Sequence, residues 1–167
     1  MKKFVNILNI ILLSIVLYSL NSCVGIEGFI YSDLDSIPIY DKSSKIKHYI
    51  KNKNKEENYF IVSIYKKANN YVKIRGNYAF SSTKDVKGWI SIENIRTNLI
   101  SELKIPIYKY PNHYSCFYYI NSPQWYAIEI NDIKGEWVLI LYETDGIKIS
   151  GWIETKYICG NPYTTCN

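Results

Sequence analysis

The chain has 167 residues, 47% hydrophobic and 21% charged, a balance that fits a folded globular protein and excludes an intrinsically disordered one. Its formal charge of +5 is too small to argue for nucleic acid as a partner, and the joint abundance of Ile, Asn, Lys and Tyr reads as the coding bias of an AT-rich genome. The aromatic content of 16%, with 17 Tyr, 4 Trp and 5 Phe, supplies large rings that bury much area per residue.

The first element is a targeting segment. "MKK" is a positive start, "FVNILNIILLSIVLYSL" an apolar run about long enough to span a bilayer, and the run leads into Asn21-Ser22-Cys23. Leu20-Asn21-Ser22-Cys23 resembles the lipobox of bacterial lipoproteins, in which a Leu three before and a small residue one before a Cys direct diacylglyceryl transfer to that thiol and then cleavage. The resemblance implies a signal peptide over residues 1–22, lipidation of Cys23, a tether over 23–29, and a protein held at a membrane of the cell envelope, outside the cytoplasm. Plain secretory cleavage and an uncleaved anchor are the other readings. Loss of residues 1–22 removes Lys2 and Lys3 and lowers the formal charge from +5 to +3.

Beyond Cys23 helical periodicity is scarce, and short runs of β-branched and aromatic residues alternate with turn-forming clusters. Strands are predicted at Ile37–Tyr40, Tyr59–Tyr65, Tyr71–Gly76 and Gly88–Ser91, with a further extended stretch at Ile46–Ile50. A second set is predicted at Ile105–Tyr108, Phe117–Ile120, Trp125–Ile130, Trp137–Tyr142 and Lys148–Ile153, with turns at Lys66–Asn70, Asn131–Gly135 and Glu143–Gly146. The two sets share words in the same order. "IPIY" occurs at Ile37 and Ile105, "NYVKI" at Asn70 answers "EWVLI" at Glu136, and "GWI" occurs at Gly88 and Gly151, at offsets of 68, 66 and 63 residues. A tandem duplication of one small unit produces this pattern, the drift in offset reflecting loops of unequal length. Thr97–Lys104 is too short for a flexible linker, so the units are expected to pack together.

The order "IPIY", a polar loop, an aromatic strand, "(Y/W)VxI", then "GWI" and a short polar turn resembles the bacterial SH3-like (SH3b) domain, twice over from about Ile30 to Ile158. The resemblance implies an all-β protein with two small SH3-like antiparallel barrels in tandem, at residues 30–98 and 99–167. Tyr71 stands where the family carries Trp, and the insert Asp41–Asn58 reads as having no counterpart in the second copy.

Three thiols follow Cys23. The turn formers of "CGNPYTTC" favour a Cys159–Cys166 bridge, which would staple the tail to itself and leave Cys116 as a free, buried thiol; a Cys116–Cys159 bridge is the alternative. Catalysis finds little footing. His113 and Cys116 are the one Cys and His proximity, with no helix and no third orienting group, and the acids Glu129, Asp132, Glu136, Glu143, Asp145 and Glu154 lie in or beside hairpin turns. With two His and no metal-ligand spacing, neither a metal nor a cofactor is expected. Six Lys between Lys42 and Lys55 could face phosphate-bearing lipid or glycan, although a solvated loop is the plainer reading.

The aromatic excess is more informative. Alternation in "QWYAIEI" sets Tyr126, Ile128 and Ile130 on a core-like face and Trp125 on the other, which makes Trp125, with Tyr119 or Tyr142 near it, the candidate ligand contact. The same rings could instead fill the interface between the units. Trp89 and Trp152 read as core residues. The function expected is a non-enzymatic envelope lipoprotein binding a peptide, a peptidoglycan fragment or an envelope protein; the alternative is an inhibitor or immunity-type protein that blocks a toxin or a cell-wall hydrolase. Labelling cells with an alkynyl fatty acid is expected to mark the wild type and leave Cys23→Ala unmarked; equal labelling of both would refute lipidation at Cys23.

Overall fold

The computed structural model describes residues 25–42, 44–81, 84–101, 104–121, 127–144 and 146–163. Among them the chain is all-β, with strands β1 Ile26–Ile30, β2 Ser36–Tyr40, β3 Ile46–Lys51, β4 Phe60–Ala68, β5 Tyr71–Tyr78, β6 Val86–Ser91 and β7 Ile95–Leu99. The second half contributes β8 Ile105–Tyr108, β9 Phe117–Ile120, β10 Ile128–Lys134, β11 Trp137–Thr144, β12 Ile147–Glu154 and β13 Ile158–Cys159. Single 3-10 turns occupy Asn54–Glu56, Ile92–Asn94 and Thr155–Tyr157.

Two-residue alternation makes these strands. In β5, Val72, Ile74 and Gly76 are buried while Tyr71, Lys73 and Arg75 face outward. The β4–β5 hairpin closes at Asn69, whose φ of 52° is the left-handed conformation that asparagine tolerates. In β10 the alternation is interrupted by a bulge between Ile130 and Asp132, so that Ile128, Ile130 and then Ile133 all reach the core. Asn131–Gly135, predicted as a turn, is mostly strand, because Asp132, Ile133 and Lys134 continue the ladder with Leu139, Val138 and Trp137 beyond the bulge. The same irregularity lies between Ile64 and Lys66 in β4, so the duplication extends to the bulge.

All pairings are antiparallel, in the order β3-β2-β6-β5-β4-β1-β7-β10-β11-β12-β8-β9, with β13 also on β7. Read from either end, this order matches element for element: β3 answers β9, β2 answers β8, β6 answers β12, β5 answers β11, β4 answers β10, and β1 meets β7 at the centre. Where two small barrels packed in tandem were expected, the described strands run as one open, continuous sheet from β3 to β9. The buried side chains likewise form one cluster with members from both copies, from Ile37 and Ile74 to Ile107 and Ile140.

Three sequence boundaries move. The tether expected at 23–29 contains β1, where Ile26, Phe29 and Ile30 are buried and paired with β4 and β7. The unit boundary expected at 98/99 falls inside β7. The insert Asp41–Asn58 does have a counterpart, since it carries β3, which occupies the place of β9.

β7 holds the copies together. Buried Thr97 places its hydroxyl 3.3 Å from the carbonyl oxygen of Glu27 in β1 and 3.2 Å from that of Cys159 in β13. Arg96 pairs with Glu129 of β10 at 3.0 Å, and Asn98 Nδ2 donates to the Asn161 carbonyl at 3.1 Å. The tail then crosses to the first copy: the Tyr163 hydroxyl donates to the Glu57 carbonyl at 2.6 Å and accepts from the Tyr59 amide at 3.0 Å.

The repeated words pack on each other. Gly88 of the first "GWI" lies against Ile39 of the first "IPIY", and Gly151 lies against Ile107 in the same way. A Cβ on either glycine would collide with the isoleucine Cγ2 and crowd the carbonyl oxygen of Tyr40 or Tyr108. Gly88→Ala and Gly151→Ala are each expected to lower stability by about 1–3 kcal/mol, the usual cost of overpacking. Denaturant unfolding checks this; an unchanged midpoint for both variants would refute the packing.

Candidate functional site

The best-formed aromatic site lies in the first copy. Tyr40 ends β2, Tyr71 begins β5, and Trp89 sits in β6 directly opposite Tyr40 in the register. The Tyr40 and Tyr71 rings meet edge to face at 5.5 Å and 85°, a favoured geometry. With Asp41, Lys42, Ser44, Lys66, Ala68 and Asn69 they line a groove of about 460 Å³. Its walls are apolar rings and its rim carries both charge signs. Burial, and then the neighbouring Tyr71 and Tyr49, push the Tyr40 phenol above its usual range, so that at neutral pH it remains an uncharged hydroxyl able to donate or accept.

The second copy repeats the constellation with substitutions. Tyr108 stands for Tyr40, Trp137 for Tyr71, and Trp152, opposite Tyr108 in the register, for Trp89. Tyr108 and Trp137 meet at 5.1 Å and 85°, nearly the geometry of the first pair. Matching hydrogen bonds frame both sites: the Ile92 amide donates to the Asn70 carbonyl at 2.9 Å, and the Thr155 amide to the Glu136 carbonyl at 2.8 Å. The difference lies in the loop after the "IPIY" strand. In the first copy Asp41 and Lys42 begin that loop at the groove rim, whereas in the second the longer loop after Tyr108 lays His113 over the rings, 5.0 Å from Trp137 and 6.0 Å from Tyr108. Burial and the nearby Glu154 push the Tyr108 phenol upward as well.

The residues singled out from sequence scatter. Trp125 lies outside the described residues, as do Cys23 and Cys166. Tyr119 is exposed on β9, where it forms an edge-to-face pair with Phe117 at 5.4 Å. Tyr142 is 7% exposed and belongs to the core, so it is not a surface ring. Its place is set by the β11 alternation, in which Val138, Ile140 and Tyr142 share the inner face. Trp89 and Trp152, read as core, are only half-buried, because alternation buries the Ile that follows each of them, and Trp89 lines the groove. The His113 and Cys116 proximity resolves into separate surroundings: His113 faces Tyr108, Trp137 and Glu154, whereas Cys116 is an exposed free thiol, contrary to the expectation of a buried one. The Lys-rich stretch is in part strand β3, an edge of the sheet, and only Lys42 of its lysines lines the groove.

Sequence reasoning missed Tyr40 and Tyr71 as a site. The signal was present in the repeat itself, since "IPIY", "(Y/W)VxI" and "GWI" each carry one ring of the set. No family model matches the chain, and comparisons with curated proteins and with solved structures also find no match.

Native-state alkylation is expected to label Cys116 without denaturant, with mass spectrometry locating the adduct. A thiol that reacts only after unfolding would contradict its placement at the surface.

Proposed function

We propose that the chain is a non-enzymatic, lipid-anchored envelope protein made of two SH3-like units, and that the Tyr40–Tyr71–Trp89 groove binds a peptide segment of a peptidoglycan fragment or of an envelope protein. The observation that carries the binding reading is an open groove of about 460 Å³ walled by three rings and rimmed by Lys42, Lys66 and Asp41. Rings give contact area at low entropic cost, and the flanking charges orient a zwitterionic or amide-rich ligand. What supports an SH3-like order is that each copy runs through a strand pair, a three-strand meander, a 3-10 turn and a closing strand, in that sequence. The anchor rests on Leu20–Cys23; if Cys23 is acylated, Val24 and Gly25 alone separate the lipid from β1. For the tail we propose a Cys159–Cys166 bridge, supported by the turn formers Gly160, Asn161 and Pro162 between the two cysteines and by Cys116 being a free, exposed thiol.

Tyr71 is the residue to change, because its outward ring can be removed with little loss of core. Titration of immobilised muropeptides with the wild type and with Tyr71→Ala is expected to show binding that weakens by about 2 kcal/mol, the cost of removing a central interface ring. Equal affinity of the two proteins would exclude the groove.

A further inference from the structure

The second copy of the aromatic site holds a side chain of this protein where the first copy is open, and that occupant indicates what the first copy takes. His113 rests against Trp137 with an interplanar angle of 60° and against Tyr108 at 88°, edge-on to both rings. Its Nε2 lies 3.9 Å from Glu154 Oε2. The ring is nonetheless lightly held, its side chain being 64% exposed on a loop that begins Lys109-Tyr110-Pro111-Asn112. That loop is a tight turn: the Asn112 side chain accepts from the Tyr114 amide at 3.1 Å, and the Ser115 hydroxyl accepts from the Tyr110 amide at 2.9 Å. Beneath His113, Tyr108 is 9% exposed, whereas its counterpart Tyr40 is half-buried beside the open groove. The acid is not repeated: Glu154 lies opposite Trp137 in the register, whereas Ser91 lies opposite Tyr71.

We infer that His113 is an internal stand-in for ligand: the first groove accepts a planar side chain, imidazole or aromatic, carried on a tight peptide turn and set edge-on against Tyr71. By the same reasoning the second copy is a latent site of the same specificity, closed by its own loop. This rests on the groove of the first copy being a binding site, and it adds the class of side chain that enters it. An intramolecular occupant competes at a high effective concentration, so a peptide in solution reaches the second site only once His113 is removed.

The probe is the loop itself as a capped peptide, Ac-KYPNHYS-NH2, titrated into the full chain while the tryptophan indole N–H signals are followed by NMR. The wild type is expected to bind one peptide, with the Trp89 signal moving and those of Trp137 and Trp152 still. Tyr71→Ala is expected to weaken this at least tenfold. His113→Ala, a change at an exposed ring that leaves the core untouched, is expected to bind two peptides and to move the Trp137 and Trp152 signals. The control peptide Ac-KYPNAYS-NH2 is expected to move none of the three. An unmoved Trp89 signal, equal shifts with the control peptide, or a stoichiometry of one in His113→Ala would each overturn the inference. If Trp89 stays still while Tyr71→Ala weakens muropeptide binding, the groove stands as a site and only the side-chain class fails.

Discussion

Everything in this structure depends on β7 serving two copies of the repeat at once. It closes the first copy by pairing with β1, opens the second by pairing with β10, and receives β13 when the second copy ends. A unit of about 65 residues is at the low end of self-sufficient folding, and each copy alone would also leave a sheet edge unpaired. Sharing one strand merges the two cores and pairs the edges at the junction, leaving β3 and β9 as the outer edges. The cost is polar: Arg96, Thr97 and Asn98 are buried or half-buried within β7, and each must find a partner. The partners lie on different elements, Arg96 on Glu129, Thr97 between the Glu27 and Cys159 carbonyls, and Asn98 on Asn161, so satisfying them fixes how the two copies meet. Lys67 of β4 and Asp132 of β10 add an ion pair at 2.8 Å across the same junction, exposed enough to contribute little by itself.

Each aromatic site is built within its own copy. The rings of each site come from strands that are adjacent in the sheet but distant in the chain, and the glycine of each "GWI" allows the "IPIY" strand to approach closely enough for Tyr40 and Trp89, or Tyr108 and Trp152, to sit side by side. The sheet holds the rings, and the variable part is the loop above them. One scaffold therefore carries an open groove and a covered one, the difference being a longer loop with a histidine near its centre.

Most of the strands were legible because their side chains alternate, and the duplication was legible because both packing partners, "IPIY" and "GWI", are repeated as words. What escaped was the junction. β1 is short and lies just after the apolar N-terminal run, so it reads as tether, and β7 reads "IRTNL", whose polar residues hide a strand until their hydrogen-bond partners are known. No local pattern encodes those partners, since they come from residues 27, 129, 159 and 161. The site was half legible. Aromatic excess pointed to surface rings; the alternation of Val138, Ile140 and Tyr142 already groups Tyr142 with the core, whereas no single strand tells that Tyr40 and Tyr71 converge from two strands. Cys116 misled for a related reason: cysteine is usually buried, but this one ends an exposed loop of which His113 reaches over the rings.

Native-state hydrogen exchange on the backbone tests the shared strand most directly. If β7 unites the copies, the amides of Thr97 and Asn98 exchange only through global unfolding, and the slowest amides of β5 and β11 share that same opening free energy. Two distinct opening free energies, one for β4 to β6 and another for β10 to β12, would mean that the copies unfold independently and that β7 is only a link between them.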